Sequence, residues 1–304
     1  MHSVIRPEEG ALFDFSARIK LRISGADRLR YLNGQMTNDL RKATTGLTIR
    51  GCILNTKGRI NADVFAVVDE DSFLLDAEAE VREALSARLE RYVIADDVQI
   101  DDVTNEFALF HVLGENPPED SGCAKVAHAE RLGLPGTDLW FRRDDFDIAV
   151  QELSARYPLC DQECAETFRI EQGIPRWGRE LSEEIIPTEA NLEASAIDYA
   201  KGCYIGQEVI SRIKMSGQTN KRLCGLVVLD AQSLAAGFRL TSAAQEKDVG
   251  WITSVAGSTR LGKQIALGFV KRGFQELATR LEARPAEDSS APPVSVEIVP
   301  LPFQ

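Results

Sequence analysis

The chain has 304 residues, of which 44% are hydrophobic and 27% are charged. These values are typical of a globular protein of about two domains, and they exclude disordered and fibrous proteins. Because the formal net charge is -12, we expect neither direct nucleic-acid binding nor a membrane partner.

The usual signals of secretion, disulfide bonding and metal binding are missing from the sequence. No basic stretch followed by an apolar segment opens it, and no run of about 18 apolar residues occurs, so we expect a cytoplasmic protein. The chain has 6 cysteines, without a Cys-x-x-Cys pair, and 3 histidines, which favours free thiols over a metal or Ser-His-Asp site. Cys160 and Cys164 lie four residues apart on one predicted helix, but without further ligands nearby they predict no metal site.

Strands and helices alternate in the first part of the chain. Short strands are predicted at residues 11–24, and a helix with Leu29 and Leu32 on its apolar face should begin near Asp27. Apolar runs joined by a turn at 55–58 predict a hairpin. This order of elements is typical of an α+β protein.

A second amphipathic helix is predicted after Asp76, which we assign as its N-cap. Val81, Leu85, Leu89 and Tyr92 recur at helical spacing, so one face of this helix should pack on a sheet. Further strands are predicted at residues 98–100 and 107–113.

The segment 161–173 has the pattern of a helix with Asp161 as its N-cap. Cys164, Phe168 and Glu171 fall on one face, so the carboxylate of Glu171 interrupts an apolar stripe. It also lies at the end of the helix, where the helix dipole opposes a negative charge. A carboxylate in this position needs a partner.

Two kinds of partner fit the Glu171 carboxylate. A ligand with two parallel N–H donors would bind it through a bidentate hydrogen bond. The more common arrangement is an internal salt bridge, for which Arg169 and Arg176 are the cations close in sequence.

After Lys221 the sequence changes to short strands separated by glycine-containing turns, a pattern that predicts a small all-β barrel. A segment rich in Pro, Ser and acidic residues at 283–293 is predicted as a solvated loop before the last strand. The strands are predicted at residues 223–229, 238–241, 249–255, 265–270 and 294–299.

Cys203 lies between Gly202 and Gly206, just before a helix predicted to begin near Gln207. The ammonium of Lys201 and the N-terminus of that helix would both favour the thiolate, so this thiol is a candidate nucleophile, redox group or soft metal ligand. A lone cysteine is also frequently just a small buried hydrophobic residue.

Four sequence segments, in this order along the chain, together resemble one protein family. They read Tyr-Leu-Asn-Gly-Gln-Met-Thr-Asn-Asp at 31–39, Leu-Asn-Thr-Lys-Gly-Arg at 54–59, Arg-Ile-Glu-Gln-Gly-Ile-Pro-Arg-Trp-Gly at 169–178, and Lys-Gly-Cys-Tyr-Ile-Gly-Gln-Glu at 201–208. Together they resemble the T-protein (aminomethyltransferase) superfamily of the glycine cleavage system, over most of residues 20–225. The last segment is similar to the signature of the YgfZ branch and its mitochondrial iron-sulfur assembly relatives, whereas aminomethyltransferases carry no such cysteine.

The resemblance implies a fold and a set of site residues. The fold is α+β, with two ferredoxin-like folate-binding subdomains, discontinuous in sequence, within residues 1–218 and an antiparallel β-barrel at 219–304. Folate would lie in the central opening, with its pterin bound by Glu171 and its nitrogens near Asp63, while Ala62 replaces the first acid of a family pair. The other folate-binding residues that it implies are Asn55, Trp177 in place of a tyrosine, and Gln207.

The resemblance also implies a function. The protein would bind tetrahydrofolate or a one-carbon derivative and support the assembly or repair of iron-sulfur proteins, including those that thiolate tRNA. Cys203, with Lys201 as its activator, would be the reactive group or an iron-sulfur ligand. The expected partners are reduced folate and iron-sulfur assembly or client proteins. A folate-dependent aminomethyltransferase or demethylase, and a scaffold that binds an iron-sulfur carrier through Cys203 without folate, remain open as alternatives.

Overall fold

The computed structural model describes residues 5, 10–114, 122–242, 247–288 and 291–304. Over these ranges the chain forms two antiparallel sheets with helices and a closed antiparallel barrel. The predicted α+β class with a C-terminal barrel is confirmed. None of the helices in these ranges is long and apolar enough to cross a membrane.

The first sheet has five antiparallel strands. After β1 (Ala11–Asp14), they are β2 (Ile19–Ser24), β3 (Thr48–Leu54), β4 (Ile60–Asp69), β5 (Ser72–Ala77) and β6 (Gln99–Asp102). Their order in space is β3-β4-β5-β2-β6, and the predicted hairpin is β3 with β4. Helices α1 (Arg28–Gln35) and α2 (Arg82–Glu90) pack on this sheet. Leu32 of α1 is buried, as expected, but Leu29 is 40% exposed, so the apolar face of α1 is narrower than predicted.

The second sheet has the order β1-β7-β9-β8, with all neighbours antiparallel. Its later strands are β7 (Phe107–Leu113), β8 (Lys125–Ala129) and β9 (Gly136–Arg142), followed by α3 (Phe146–Ser154). Because β1 precedes the first sheet in sequence, the second sheet is built from two separate parts of the chain. The two sheets pack on each other through apolar side chains such as Val67, Leu109 and Trp140.

Six strands form the barrel. They are β10 (Lys221–Val228), β11 (Arg239–Ser242), β12 (Lys247–Ser258), β13 (Lys263–Lys271), β14 (Arg280–Arg284) and β15 (Val294–Val299). The barrel closes because β10 pairs with both β13 and β15. Strand β14 is not predicted from the sequence, and its last two residues contradict the start of the predicted loop at 283–293, of which 289–290 lie outside the described residues. The division at 218/219 stays a prediction.

Three further helices connect the second sheet to the barrel: α4 (Gln162–Glu171), α5 (Glu193–Ala196) and α6 (Gln207–Ser216). The side chain of Asp161 accepts a hydrogen bond from the backbone N–H of Cys164, so the predicted N-cap of α4 is confirmed. Cys160 precedes this cap, so the prediction that both cysteines lie on the helix is wrong. Short 3-10 helices lie at Leu40–Lys42, Ala79–Val81, Arg143–Asp145 and Pro187–Ala190.

A buried network of charges joins the two sheets. Asp76, predicted as an N-cap, lies instead in β5, where it is 0% exposed. Arg131 donates to Asp76 at 2.6 Å and to Asp138 of β9 at 2.7 Å. Arg18 donates a further hydrogen bond to Asp76, and His111 Nδ1 lies 2.9 Å from Asp138. Burial by itself would raise the pKa of Asp138, but the charge of Arg131 lowers it to about 2.

We expect Arg131→Met to lower the free energy of unfolding by about 3–5 kcal/mol, because it leaves two buried carboxylates without their shared cation. Urea denaturation measures this change. Arg280→Met removes an arginine from an exposed ion pair with Glu297 and serves as the control, for which we expect a change of less than about 1 kcal/mol.

The pH dependence provides a second check on the same variant. The pKa of Asp138 is about 2 in the folded protein, against an ordinary value of 3.8. Its ion pair therefore contributes fully to stability when the pH is above 3.8, and this contribution is lost as the pH falls toward 2. The stability difference between wild type and Arg131→Met should shrink over that interval. A difference that is constant with pH would contradict this account.

Candidate functional site

A central cavity of about 570 Å³ lies between the two sheets and α4. The first sheet contributes Arg50, Asp63 and Phe65 to its wall, β1 contributes Phe13, and α4 contributes Arg169. Phenyl rings and guanidinium groups therefore face the same space. Cavities of this size and mixed lining are typical of sites for small organic molecules.

A single guanidinium occupies both oxygens of Asp63. Arg50 donates from Nε to Oδ1 at 3.0 Å and from Nη2 to Oδ2 at 2.8 Å, and the two side chains are only 7% and 11% exposed. The Arg50 guanidinium carbon also lies 5.3 Å from the centre of the Phe65 ring. Such a bidentate pair is strong and directional, so Arg50 fixes the orientation of the Asp63 carboxylate in the wall of the cavity.

The neighbouring residue, Ala62, faces the other side of β4. It is 0% exposed and lies in the hydrophobic core of the first sheet, because successive side chains on a strand point to opposite faces. An acid at position 62 would not reach the central cavity in this register. Asp63 is therefore the member of the family pair that faces the central cavity.

A chain of ion pairs forms the wall of the central cavity on the side of α4. Arg169 donates to Glu166 at 2.8 Å, to the fully buried Glu180 at 2.9 Å and to Ser254 at 2.6 Å. Arg176 donates to Glu166 at 3.1 Å. Glu180 is thus part of the internal packing between α4 and the barrel.

Glu171 lies on the opposite side of α4. The hydroxyl of Ser258 donates to one oxygen of its carboxylate, and Nε of Arg260 lies 3.5 Å from the other. The expected burial is confirmed, since Glu171 is 8% exposed. The alternative of an internal salt bridge is found, but its cation is Arg260 of the barrel and not Arg169 or Arg176, which are closer in sequence.

An outer cavity of about 700 Å³ lies next to Glu171, between α4 and the barrel. Arg169 and Glu171 are two positions apart on the helix, or about 200° around its axis, so the first faces the central cavity and the second the outer cavity. Asp63 and Glu171 thus lie on different cavities. The two cavities share Gln162, Glu166 and Arg176 in their walls, and the expectation that both carboxylates contact one folate molecule stays a prediction.

Cys203 is exposed on a thiol loop, which we define as residues 201–206. Lys201 anchors this loop: its ammonium donates to the carbonyl oxygens of Asn33, Met36 and Asn38 at 2.6–2.7 Å. Burial lowers the pKa of Lys201 to about 8. Because all three carbonyls lie at the end of α1 or just beyond it, Lys201 positions the loop, and its expected role as activator of the Cys203 thiol stays a prediction.

The end of the thiol loop packs closely on the β3–β4 turn. Gly206 has φ +86, and a Cβ at this position would lie 2.7 Å from the carbonyl oxygen of Asn55, so only glycine fits. Helix α6 begins directly after it at Gln207, as predicted. The side-chain oxygen of Asn55 accepts from the backbone N–H groups of Lys57 and Arg59 and closes the turn.

Asn55, Trp177 and Gln207 are not among the residues that line the central or the outer cavity. Asn55 and Gln207 lie beside the thiol loop, and Trp177 is partly buried between two core clusters. Their expected role in folate binding stays a prediction. Over the described ranges no group of three or more His, Cys, Asp or Glu side chains could hold a metal ion.

The sequence reasoning overlooked Arg50, which touches Asp63 and also lines two further cavities. Its signal was available, since it is the single charged residue of the otherwise apolar or neutral strand β3. A charge within a buried strand indicates a buried partner. Phe65 was also missed, because an aromatic residue on a strand is ordinarily part of the core.

Comparison with known proteins identifies both parts of the chain. Residues 2–119 match the GCVT N-terminal domain, and residues 221–304 match the glycine cleavage T-protein C-terminal barrel domain. The crystal structure of glycine cleavage system aminomethyltransferase T from Bartonella henselae has a TM-score of 0.84 at 17% identity, covering 98% of this chain and 87% of that chain. This likeness shows the fold.

Two curated relatives carry different names. The chain is 26% identical to an aminomethyltransferase of Saccharopolyspora erythraea, over 99% of this chain and 88% of that protein. It is also 26% identical to the mitochondrial iron-sulfur cluster assembly factor IBA57 homolog of Dictyostelium discoideum, over 70% of this chain. The second match spans 61% of the relative, less than two thirds of its length.

We expect Cys203 to be the first of the six thiols to react with iodoacetamide, because it is exposed and burial raises the pKa of the others for which a shift is resolved. Those four thiols are Cys52, Cys160, Cys164 and Cys224, the last with a pKa of about 11. Competitive alkylation followed by mass spectrometry ranks the rates. In denaturant the differences should disappear, and preferential labelling of another cysteine in the native protein would contradict the assignment.

Proposed function

Because the chain combines the two domains of the glycine cleavage T-protein family, we propose that it binds tetrahydrofolate or a one-carbon derivative in the central cavity. We further propose that it uses the thiol loop to support iron-sulfur cluster assembly or repair in the cytoplasm. Through the iron-sulfur proteins that thiolate tRNA, this role would also support tRNA modification. The proposal does not include the activity of a classical aminomethyltransferase, which is treated below as an alternative. The observation that carries this proposal is the pairing of Asp63 with Arg50 inside the cavity.

The lining of the central cavity suits a reduced folate. Phe15 and Phe65 offer flat apolar surfaces to a pterin or benzoyl ring, and Arg18 and Arg176 provide cations at the wall for oxygen acceptors of such a ligand. The cavity volume of about 570 Å³ lies within the ordinary range for a small-molecule site. These side chains would bind and orient the folate and exclude water from it.

Aminomethyl transfer needs a group that moves a proton at the folate nitrogens. Asp63 is the carboxylate that the resemblance assigns to this place, and Arg50 occupies both of its oxygens. Freeing it would leave a guanidinium unpaired in a largely buried site, which is costly. The same geometry is compatible with binding a folate without transforming it.

The thiol loop supports the iron-sulfur part of the proposal. Cys203 is exposed, while the Lys201 ammonium fixes the backbone beneath it through three carbonyl groups. An accessible thiol on a rigid support suits contact with a carrier or client protein. The relative from Dictyostelium is named for iron-sulfur cluster assembly, which agrees with this assignment.

Two other functions are favoured by specific observations. An aminomethyltransferase is favoured by the name of the relative from Saccharopolyspora, and turnover near about 1 s⁻¹ with a folate and an amine donor would establish it. A scaffold without folate is favoured by the distance in the fold between the thiol loop and the central cavity. Folate titration separates this scaffold from the leading proposal.

We expect tetrahydrofolate to bind the purified protein and Ala17→Trp to weaken binding about tenfold or more. Ala17 is exposed and lines the central cavity, so an indole there takes up space needed by the ligand without disturbing the core. Thr259→Trp is the matched control, since Thr259 is equally exposed but lines the outer cavity. Isothermal titration calorimetry measures both affinities.

The reverse pattern, with Thr259→Trp weakening binding and Ala17→Trp leaving it unchanged, would move the ligand to the outer cavity beside Glu171. Failure of the wild-type protein to bind any reduced folate would remove folate from the proposal.

In a strain that lacks the gene, we expect Cys203→Ser to lose most of the rescue of iron-sulfur enzyme activity, while tetrahydrofolate binding stays near the wild-type value. The thiol lies outside the central cavity, so the two functions should separate. Cys123→Ser is the matched control and should rescue fully. Full rescue by Cys203→Ser would show that the thiol loop serves packing alone.

A further inference from the structure

Two cysteines meet in the wall between the two cavities. The Sγ atoms of Cys160 and Cys164 lie 3.4 Å apart, within hydrogen-bonding distance for two thiols. Cys160 lines the central cavity and Cys164 the outer cavity. Both are partly buried, so neither is a surface thiol and neither is sealed in the core.

The backbone holds these thiols in one turn. The N–H of Cys160 donates to the carbonyl of Leu12 in β1 at 2.9 Å, which fixes the residue before α4. The N–H of Cys164 donates to the side chain of Asp161 at 2.8 Å, which fixes the first turn of α4. Since a disulfide has an S–S distance of about 2.05 Å, the two sulfur atoms need to approach by little more than one ångström.

We propose that Cys160 and Cys164 form a reversible intramolecular disulfide when the folded protein meets a small disulfide oxidant such as oxidised glutathione. Cys164 attacks one sulfur of the oxidant and displaces one glutathione thiolate, which gives a mixed disulfide. Cys160 then attacks Cys164 Sγ and displaces the second. The protein loses two electrons and two protons, and the oxidant is reduced to two thiols.

The order of the two steps follows from the surroundings of each thiol. Burial raises the pKa of both thiols, but the hydrogen bond with Cys160 acts in the opposite direction on Cys164 and raises the pKa of Cys160. Cys164 is therefore the more readily ionised member and the first nucleophile, and Cys160 resolves the mixed disulfide. Because thiolates are the reacting species, oxidation should accelerate between neutral and mildly alkaline pH.

The disulfide would tie the first turn of α4 to the segment that runs beside β1. The N–H of Leu12 already bonds to the carbonyl of Pro158, so this segment is attached to the second sheet. Glu166 and Gln162 of α4 line both cavities. Oxidation would therefore stiffen the wall that the two cavities share. This inference does not depend on which ligand either cavity holds.

The sequence provides a direct readout. Trypsin cuts after Arg156 and Arg169, so one peptide, 157–169, contains both cysteines and no others. The native protein is incubated with oxidised glutathione, free thiols are blocked with iodoacetamide, and the digest is analysed by mass spectrometry. We expect this peptide to lose two hydrogens, to take up no alkyl group, and to become fully alkylated after treatment with dithiothreitol.

Two variants serve as controls. Cys160→Ser should leave a stable mixed disulfide between glutathione and Cys164, because the resolving thiol is missing. Cys203→Ser should form the intramolecular disulfide as wild type does. Peptide 157–169 that stays reduced while Cys203 is glutathionylated would overturn the proposal. So would a disulfide that appears only in denaturant.

Discussion

The arrangement of the molecule depends on one buried cation between two buried anions. Arg131 lies between Asp76 of the first sheet and Asp138 of the second, with all three side chains at most 2% exposed. Its guanidinium carbon also lies 4.3 Å from the centre of the Phe65 ring and 5.5 Å from that of Phe15. Burying such charges costs more than it gains in stability unless the geometry is very good. The network fixes the position and orientation of one sheet relative to the other. The central cavity lies between the two sheets, so its shape depends on that arrangement.

The same pairing of charges decides what the central cavity can do. Asp63, Glu166 and Glu180 each form an ion pair with an arginine in or behind its wall. Glu171 is turned toward Ser258 and the barrel. A site of this kind can recognise a ligand by shape, ring stacking and donation from guanidinium groups.

Local patterns were sufficient to predict much of the fold. The β3–β4 hairpin, the N-cap of α4 and five barrel strands follow from turn residues, capping and alternation, which act over a few residues. The failures came from long-range contacts. Asp76 was assigned as a helix cap because its ion-pair partner, Arg131, lies 55 residues away in sequence. Strand β14 was predicted as a loop because its own residues do not reveal that it pairs with β15. The burial of Glu171 was predictable because it lies on the apolar face of helix α4. The cavity that it faces was not predictable, because the side of α4 that packs on the barrel cannot be inferred from the sequence.

The separation of the thiol loop from the central cavity follows from strand β3. Arg50 points into the cavity from this strand, and four residues later the strand ends at Leu54, whose Cβ would lie 3.1 Å from a side chain at Gly206. The carbonyl of Asn55 then contacts Gly206 even more closely. Since neighbouring residues of a strand are about 3.3 Å apart, the cavity wall and the support of Cys203 are two ends of the same short, hydrogen-bonded strand. A ligand that displaced Arg50 would act on the strand against which the thiol loop is packed.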